Sequence, residues 1–319
     1  MRIVLITPYG REHRNGNWHT AARWARFLRD AGHTVRVQVD WDGRPADLML
    51  ALHARRSFAS IRAFAERFPS RPLILTLTGT DLYRDIQQDS DAQQALELAH
   101  RIIVLQDRGP AELAPHQAAK TRVIYQSAPD IARRPASATA FEVLVIGHLR
   151  AEKDPFRAAL ATAYLPEQSR IHVTHLGGAR SDEMAETAEM AQRKLPRWSW
   201  AGDVPHKTVQ KRLSQAQLMV ISSVMEGGAN VICEALAADV PVLASYMPGN
   251  IGMLGEDYPG SFPVGDERQL AALLSRAEND ADFYAELVKH ARQRRPLMRP
   301  EQEGSRLRQL VAEFEQTPA

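Results

Sequence analysis

The chain has one cysteine among its 319 residues, Cys233, so no disulfide can form within it. A reducing compartment is the expected setting. Long hydrophobic runs are also missing. The apolar stretches are short, such as Ile3–Ile6, Val143–Ile146 and Leu218–Ile221, far short of the roughly 20 apolar residues that cross a bilayer. No integral membrane segment is expected. The first residues read as a strand and lack the charged, apolar and small-residue layout of a secretion signal, so a cytoplasmic location is expected. No repeat with a solenoid period and no low-complexity tract is visible. The loop Pro8–Trp18 carries Gly10 and Gly16 but not G-x-G-x-x-G, so Asp40 at the end of the next strand is a weak sign of a dinucleotide site. There is no H-x-x-x-H, cysteine pair or Asp-x-Asp cluster that reads as a metal site, and none is expected. No basic stripe is interleaved with aromatics, so nucleic acid is a poor partner.

The formal charge of +2 hides an asymmetry. Residues 1–135 carry 20 basic side chains, 19 of them Arg, against 14 acidic ones; the remainder carries 20 against 24. The plain reading is a solvated basic face. The sharper one is attraction for an anionic acceptor or an acidic surface.

Short apolar runs alternate with amphipathic stretches. Strands are expected at Arg2–Thr7, His33–Val39, Asp47–Leu52, Pro72–Thr78, Ile102–Leu105 and Arg122–Tyr125. Helices are expected at Trp18–Ala31, with Gly32 as its stop, at Arg55–Phe68 and at Asp91–His100. Ser127–Ala140, with Pro129 and Pro135, reads as a linker. A second set follows at Phe141–Ile146, Ile171–Leu176, Leu218–Ile221 and Val240–Ala244. Arg268–Phe314 reads as mostly helical, broken near Pro296–Pro300. The β-α-β alternation predicts parallel sheets with right-handed crossovers. Residues 1–135 and 136–319 are expected to form two Rossmann-like domains, the final helix returning to the first.

Ligands gather at the carboxyl ends of such strands. The strongest signal there is Glu226-Gly227-Gly228-Ala229-Asn230-Val231-Ile232-Cys233-Glu234, after a strand and at a helix start. Carboxylates eight residues apart lie about 12 Å apart along a helix, roughly the span from a hexose to a ribose across a diphosphate. A helix amino terminus between them would face the diphosphate, and each carboxylate can accept from a diol. Taken alone, Glu226 as a helix cap and Glu234 as a surface residue would be the commoner case.

The context changes that weighting. Gly147-His148-Leu149-Arg150-Ala151-Glu152-Lys153, Gly202-Asp203-Val204-Pro205-His206, Ser223-Val224-Met225-Glu226-Gly227, Glu234-Ala235-Leu236-Ala237 and Pro241-Val242-Leu243-Ala244-Ser245 stand in an order and spacing that resemble glycosyltransferase family 4. The first half adds the Gly16 loop and Thr78-Gly79-Thr80-Asp81. The resemblance implies an α/β GT-B fold, two Rossmann-like domains whose parallel sheets face an interdomain cleft. It also implies residue roles. Glu226 would hold the donor sugar hydroxyls, Glu234 the ribose, Lys153 the diphosphate, Gly16 a phosphate through its backbone N–H, and Val204 the base through its main chain.

The chain departs from the family pattern at His148, where Arg is usual, at Gly228, where a bulky residue is usual, and at Thr78, where the family has a loop histidine. Arg150 could stand in for the missing cation. These departures, with Asn15-Gly16-Asn17-Trp18-His19-Thr20-Ala21 and Met247-Pro248-Gly249-Asn250, resemble the selenosugar synthases of selenoneine biosynthesis. That narrower resemblance implies a UDP-N-acetylhexosamine donor and selenophosphate as selenium source, both substrates, with no cofactor. The candidate catalytic residues are then Glu226, Lys153, Arg150 and His148. Gly16, Asn17, His19, Thr80, Arg84, Val204, Gly227, Gly228, Ala229, Asn230, Val231 and Glu234 are the candidate substrate contacts. A hydroxyl acceptor would need a base, for which His19, His53 and His148 qualify by type only. Selenophosphate arrives as an anion and needs cations or N–H donors, which Arg84 or the His148–Arg150 loop could supply. The competing readings are transfer to an alcohol or lipid, with Arg55, Arg56 and Arg62 facing a membrane; a sugar-nucleotide epimerase; and a binding protein without turnover.

Overall fold

The computed structural model describes residues 1–13 and 16–315. The chain divides into two compact units. The first comprises Met1–Gln126, Glu226–Gly228 and the chain from Pro300 onward; the second comprises Ser127–Met225 and Ala229–Arg299.

The first unit holds six parallel strands, β1 (Arg2–Ile6), β2 (Thr34–Gln38), β3 (Leu48–Leu52), β4 (Leu73–Thr76), β5 (Arg101–Val104) and β6 (Thr121–Val123). Their order is β2-β1-β3-β4-β5-β6. Strand side chains alternate between faces, and both faces are covered. Val4, Ile6, Met49, Ala51, Leu73 and Leu75 pack with Phe58, Ile61 and Phe64 of helix Phe58–Arg67. Ile3, Leu5, Leu48, Leu50 and Ile74 pack with Trp24 and Leu28 of helix Gly16–Asp30, and with Leu307, Leu310 and Val311 of helix Pro300–Ala312. Double-sided burial explains why these strands read as continuous apolar runs. Gly32 ends the first helix at φ +89°, with its N–H on Arg29 O and that of His33 on Leu28 O, the paired closure that a left-handed residue allows. The last helix is held by Glu303, whose buried carboxylate accepts from Arg23 Nε at 2.7 Å and Trp24 Nε1 at 2.6 Å.

The second unit repeats the plan with β7 (Phe141–Ile146), β8 (Ile171–Leu176), β9 (Trp198–Trp200), β10 (Leu218–Ile221), β11 (Val242–Ser245) and β12 (Ser261–Phe262), all parallel. Their order is β12-β11-β10-β7-β8-β9. The edge strands β9 and β12 were not legible in the sequence: three and two residues carry no periodicity. Ser127–Ala140 has no regular structure, yet Ala128, Ile131 and Arg134 donate backbone N–H groups to Met298, Ala237 and Ser214, so it is strapped to the second unit. Helices Glu267–Asn279, Ala281–Arg294 and Pro300–Ala312 follow, interrupted by a 3-10 turn at Arg295–Met298. No helix of the described residues is long and apolar enough to cross a membrane.

Candidate functional site

In the second sheet the chain runs outward from β7 through β8 to β9, then returns to place β10 on the other side of β7. The loops after β7 and β10 therefore diverge at a switch point, where open α/β sheets hold ligands. They are the two loops that carry the sequence motifs. Val224 N donates to Glu152 O at 2.9 Å, and Ser222 Oγ donates to Asp154 O at 2.8 Å, which ties Ala151–Asp154 to Ser222–Val224. Behind the first loop, His175 Nε2 lies 2.9 Å from Gly147 O, and Trp200 Nε1 donates to Gly177 O at 2.7 Å. Gly177 has φ +153°, and a Cβ there would collide with the Gly147 carbonyl, so only glycine lets these loops approach. Ser245 Oγ donates to Ser223 O at 2.5 Å, and Asn250 Nδ2 donates to Ser245 O at 3.1 Å. The Met247–Asn250 motif thus fixes the backbone leading to Glu226.

His148 is partly buried in the β7 loop. Burial, then Arg180, hold its imidazole below the ordinary histidine value, against an opposing pull from Asp203. It is therefore neutral at pH 7, a hydrogen-bonding group rather than a second cation. Arg150 is exposed, and so is Arg180 in the loop after β8, a cation to which the sequence motifs gave no pointer. Lys153 and Val204 are half-buried, in the loops after β7 and β9.

The helix at the motif spans Asn230–Ala237, and its N-cap residue, Ala229, makes no side-chain cap. Asn230 and Val231 open it, and Ala229 precedes it with its N–H on Met253 Sδ at 3.0 Å. Glu226 lies four residues before this helix. The expectation of one helix carrying both Glu226 and Glu234 is thereby corrected: the helical rise applies only from Asn230 to Glu234, because Gly227 and Gly228 break the run before it. Glu234 already has a partner, since His206 Nε2 lies 3.0 Å from its Oε1. That carboxylate raises the His206 imidazole, with burial opposing it.

Glu226–Gly228 belongs to the first unit. A Cβ on Gly227 would strike the Thr78 carbonyl, and one on Gly228 would lie 2.5 Å from Leu105 Cβ. The missing side chain at 228 therefore opens no room for a sugar there; Leu105 occupies that space. In the same unit β1 lies between β2 and β3, so the loops after β1 and β3 form its switch point. Arg56 stacks over Tyr9 across them at 5.0 Å. His53 directly follows β3 in the left-handed region, at φ +74°. It is buried, with Nε2 3.1 Å from Thr80 Oγ1 and ring nitrogens 3.9 Å from Asp81 and Asp85. Asp81 is fully buried. Its Oδ1 accepts from Thr78 N at 2.8 Å and Gly79 N at 2.9 Å, and its Oδ2 from Ala54 N at 3.0 Å. Arg84 places Nε on Asp85 at 3.2 Å and keeps a partly exposed side chain. Gly16 and Asn17 open the first helix, with Thr20 Oγ1 on Gly16 O at 2.9 Å, and His19 is exposed on the same helix. Asn15 lies outside the described residues.

A family model described as Glycosyl transferases group 1 matches residues 128–294, about half of the chain. The chain belongs to the glycosyl transferases group 1 family. It is 22% identical over 331 residues to the Glycosyltransferase 1 domain-containing protein 1 of Xenopus tropicalis, covering 92% of each. Among solved structures, HepE of Anabaena in complex with UDP and glucose is similar at a TM-score of 0.80 and 16% identity, over 98% of this chain and 100% of that one. Sucrose-phosphate synthase of Thermosynechococcus elongatus is similar at 0.79 and 18%, over 98% and 99%. The two six-stranded parallel sheets and these likenesses establish a GT-B glycosyltransferase fold.

Of the residues named from the sequence, this glycosyltransferase groups His148, Arg150, Lys153, Val204, Ala229, Asn230, Val231 and Glu234 in its second unit. Gly16, Asn17, His19, Thr80, Arg84, Glu226, Gly227 and Gly228 belong to its first. Sequence reasoning passed over Asp81 as a loop organiser, although it closes the Thr78-Gly79-Thr80-Asp81 motif; an acid two residues after a strand-end glycine was the available signal. The three arginines read as a membrane face are otherwise engaged. Arg55 is on Asp85 at 2.9 Å, Arg56 is over Tyr9, and Arg62 is over Phe58, whose helix buries its apolar side in the core.

Proposed function

We propose that this glycosyltransferase moves an N-acetylhexosaminyl group from its UDP donor to the selenium of selenophosphate. The anomeric C–O bond breaks and UDP leaves with its electron pair, while a selenium lone pair forms the C–Se bond. Water then splits the Se–P bond, giving a selenosugar and phosphate. In this reading Glu226 accepts from the donor sugar, Glu234 from the ribose, and Lys153 meets the diphosphate, with the first-turn N–H groups of Asn230 and Val231 as further donors. Support for a UDP-sugar donor comes from HepE, solved with UDP and glucose. The observation that carries the acceptor assignment is the pair of departures from the family pattern at Thr78 and Gly228. Gly227 abuts the Thr78 backbone, and the neighbouring Gly228 abuts Leu105. An anionic acceptor also suits a β7 loop whose histidine is neutral and has two exposed arginines, Arg180 and Arg150, in charge range.

Incubation with UDP-N-acetylglucosamine, with and without selenophosphate, followed by mass spectrometry tests this. UDP release and a selenium-bearing sugar should appear only with selenophosphate; UDP release indifferent to it would overturn the assignment. Glu226→Ala should cut turnover at least 100-fold without unfolding the protein, the scale of a lost transition-state contact. A second reading, transfer to an alcohol or lipid hydroxyl, draws on His53, whose imidazole lies within hydrogen-bond reach of Thr80 Oγ1 and near two carboxylates. It would be favoured by release of UDP to such acceptors in the same assay.

A further inference from the structure

The first unit contains a hydroxyl whose hydrogen has no acceptor among the described residues. Gln106 follows β5 and is fully buried, and both ends of its amide are engaged. Its Oε1 accepts from Arg108 N at 2.6 Å, and its Nε2 donates to the Tyr83 hydroxyl at 2.8 Å. The amide cannot be reversed, because its NH2 would then face the Arg108 N–H. Tyr83 is therefore the acceptor in that bond, and its own O–H has no protein partner among the described residues.

This phenol is placed beside the Glu226 segment from two sides. Tyr83 N donates to Gly79 O at 3.1 Å, and a Cβ on Gly79 would lie 3.3 Å from Gly227 N. Leu105, the neighbour of Gln106, fills the space against Gly228. Burial pushes the Tyr83 phenol up, and the charges of Glu112 and Glu226 add to that. The phenol keeps its proton at any working pH.

A carboxylate only accepts hydrogen bonds, whereas a phenol already accepting from Gln106 is left to donate. A sugar hydroxyl does both. We propose that Tyr83, oriented by Gln106, donates to the donor-sugar hydroxyl that Glu226 accepts from, so that the two side chains together read one hydroxyl of the sugar. The inference rests on the reading of Glu226 as a sugar contact. Gln106 acts through Tyr83 and is a positioning residue.

The test compares wild type, Tyr83→Phe and Gln106→Glu with UDP-N-acetylglucosamine and with analogues lacking one sugar hydroxyl at a time. Tyr83→Phe should raise the donor KM about three- to ten-fold, the scale of one hydrogen bond, while binding of UDP alone is unchanged. With one of the deoxy analogues the difference between Tyr and Phe should vanish. Gln106→Glu keeps an acceptor for Arg108 N but turns the phenol's hydrogen toward itself. It should match Tyr83→Phe, and the double variant should lose nothing further. A purely structural Gln106 would instead lower Tm and UDP affinity together, which would overturn its role. Equal losses on all deoxy analogues, or no loss in Tyr83→Phe while Glu226→Ala stays inactive, would sink the Tyr83 assignment alone. A fully active Glu226→Ala would sink the underlying reading as well.

Discussion

The two sheets share a strand plan, yet the loops at their carboxyl ends are held by different chemistry. In the first unit the fastening is ionic: Asp81 gathers backbone N–H groups from two loops, and Asp85 binds Arg55 and Arg84. In the second it is largely neutral: His175 on the Gly147 carbonyl, Trp200 on the Gly177 carbonyl, and Ser245 with Asn250 behind Ser223. The half with the positive net charge thus binds Arg55 and Arg84 into internal pairs. The half with the negative net charge leaves Arg150 and Arg180 exposed at its strand ends. Net charge per domain is a poor guide to where an anion would be held; what matters is which cations already have carboxylates.

The largest effect expected from breaking this contrast is at Asp81. Asp81→Ala leaves three backbone N–H groups buried without their acceptor and should cost about 3–5 kcal/mol in urea unfolding. Asp81→Asn should recover part of that. A loss under about 1 kcal/mol would show that the first unit's loops do not depend on ionic fastening.

The neutral fastening should reveal itself through acid. Burial holds His175 down to about 4, against 6.5 for a free imidazole. Between those values the unfolded chain binds the extra proton. This stability is therefore complete above 6.5 and is lost as pH falls toward 4, by about 3 kcal/mol at most. Tm measured from pH 7 to 4.5 should fall, and His175→Gln should flatten that profile. An unchanged slope would remove His175 as the source.

The smallest effect concerns His206. Glu234 raises its imidazole, so the charged pair stabilises below 6.5 and that contribution is lost as pH rises through the raised value. The protonated ring also competes with a ribose for Glu234. The donor KM should therefore drop a few-fold from pH 6 to 8 in wild type and stay level in His206→Gln. A parallel pH dependence in both proteins would detach Glu234 from the ribose.

Much of this architecture was legible as pattern. Strands buried on both faces read as apolar runs, and β7, β8 and β10 have the bounds expected from sequence. Strand β11 begins at Val242 rather than Val240, just past Pro241, which has no N–H for the ladder. The Glu226–Glu234 motif, its glycines and the Lys153 loop were visible because they are contiguous in the chain. Sequence periodicity and local residue chemistry determined two parallel α/β units and the segments that end their strands. Only the tertiary structure decided that Glu226–Gly228 packs with Thr78 and Leu105, that Gln106 turns the Tyr83 hydroxyl, and that Asp81 gathers two loops. Each of those depends on a distance between residues far apart in the chain, and such distances are set by side-chain packing and buried hydrogen bonds rather than by any local repeat.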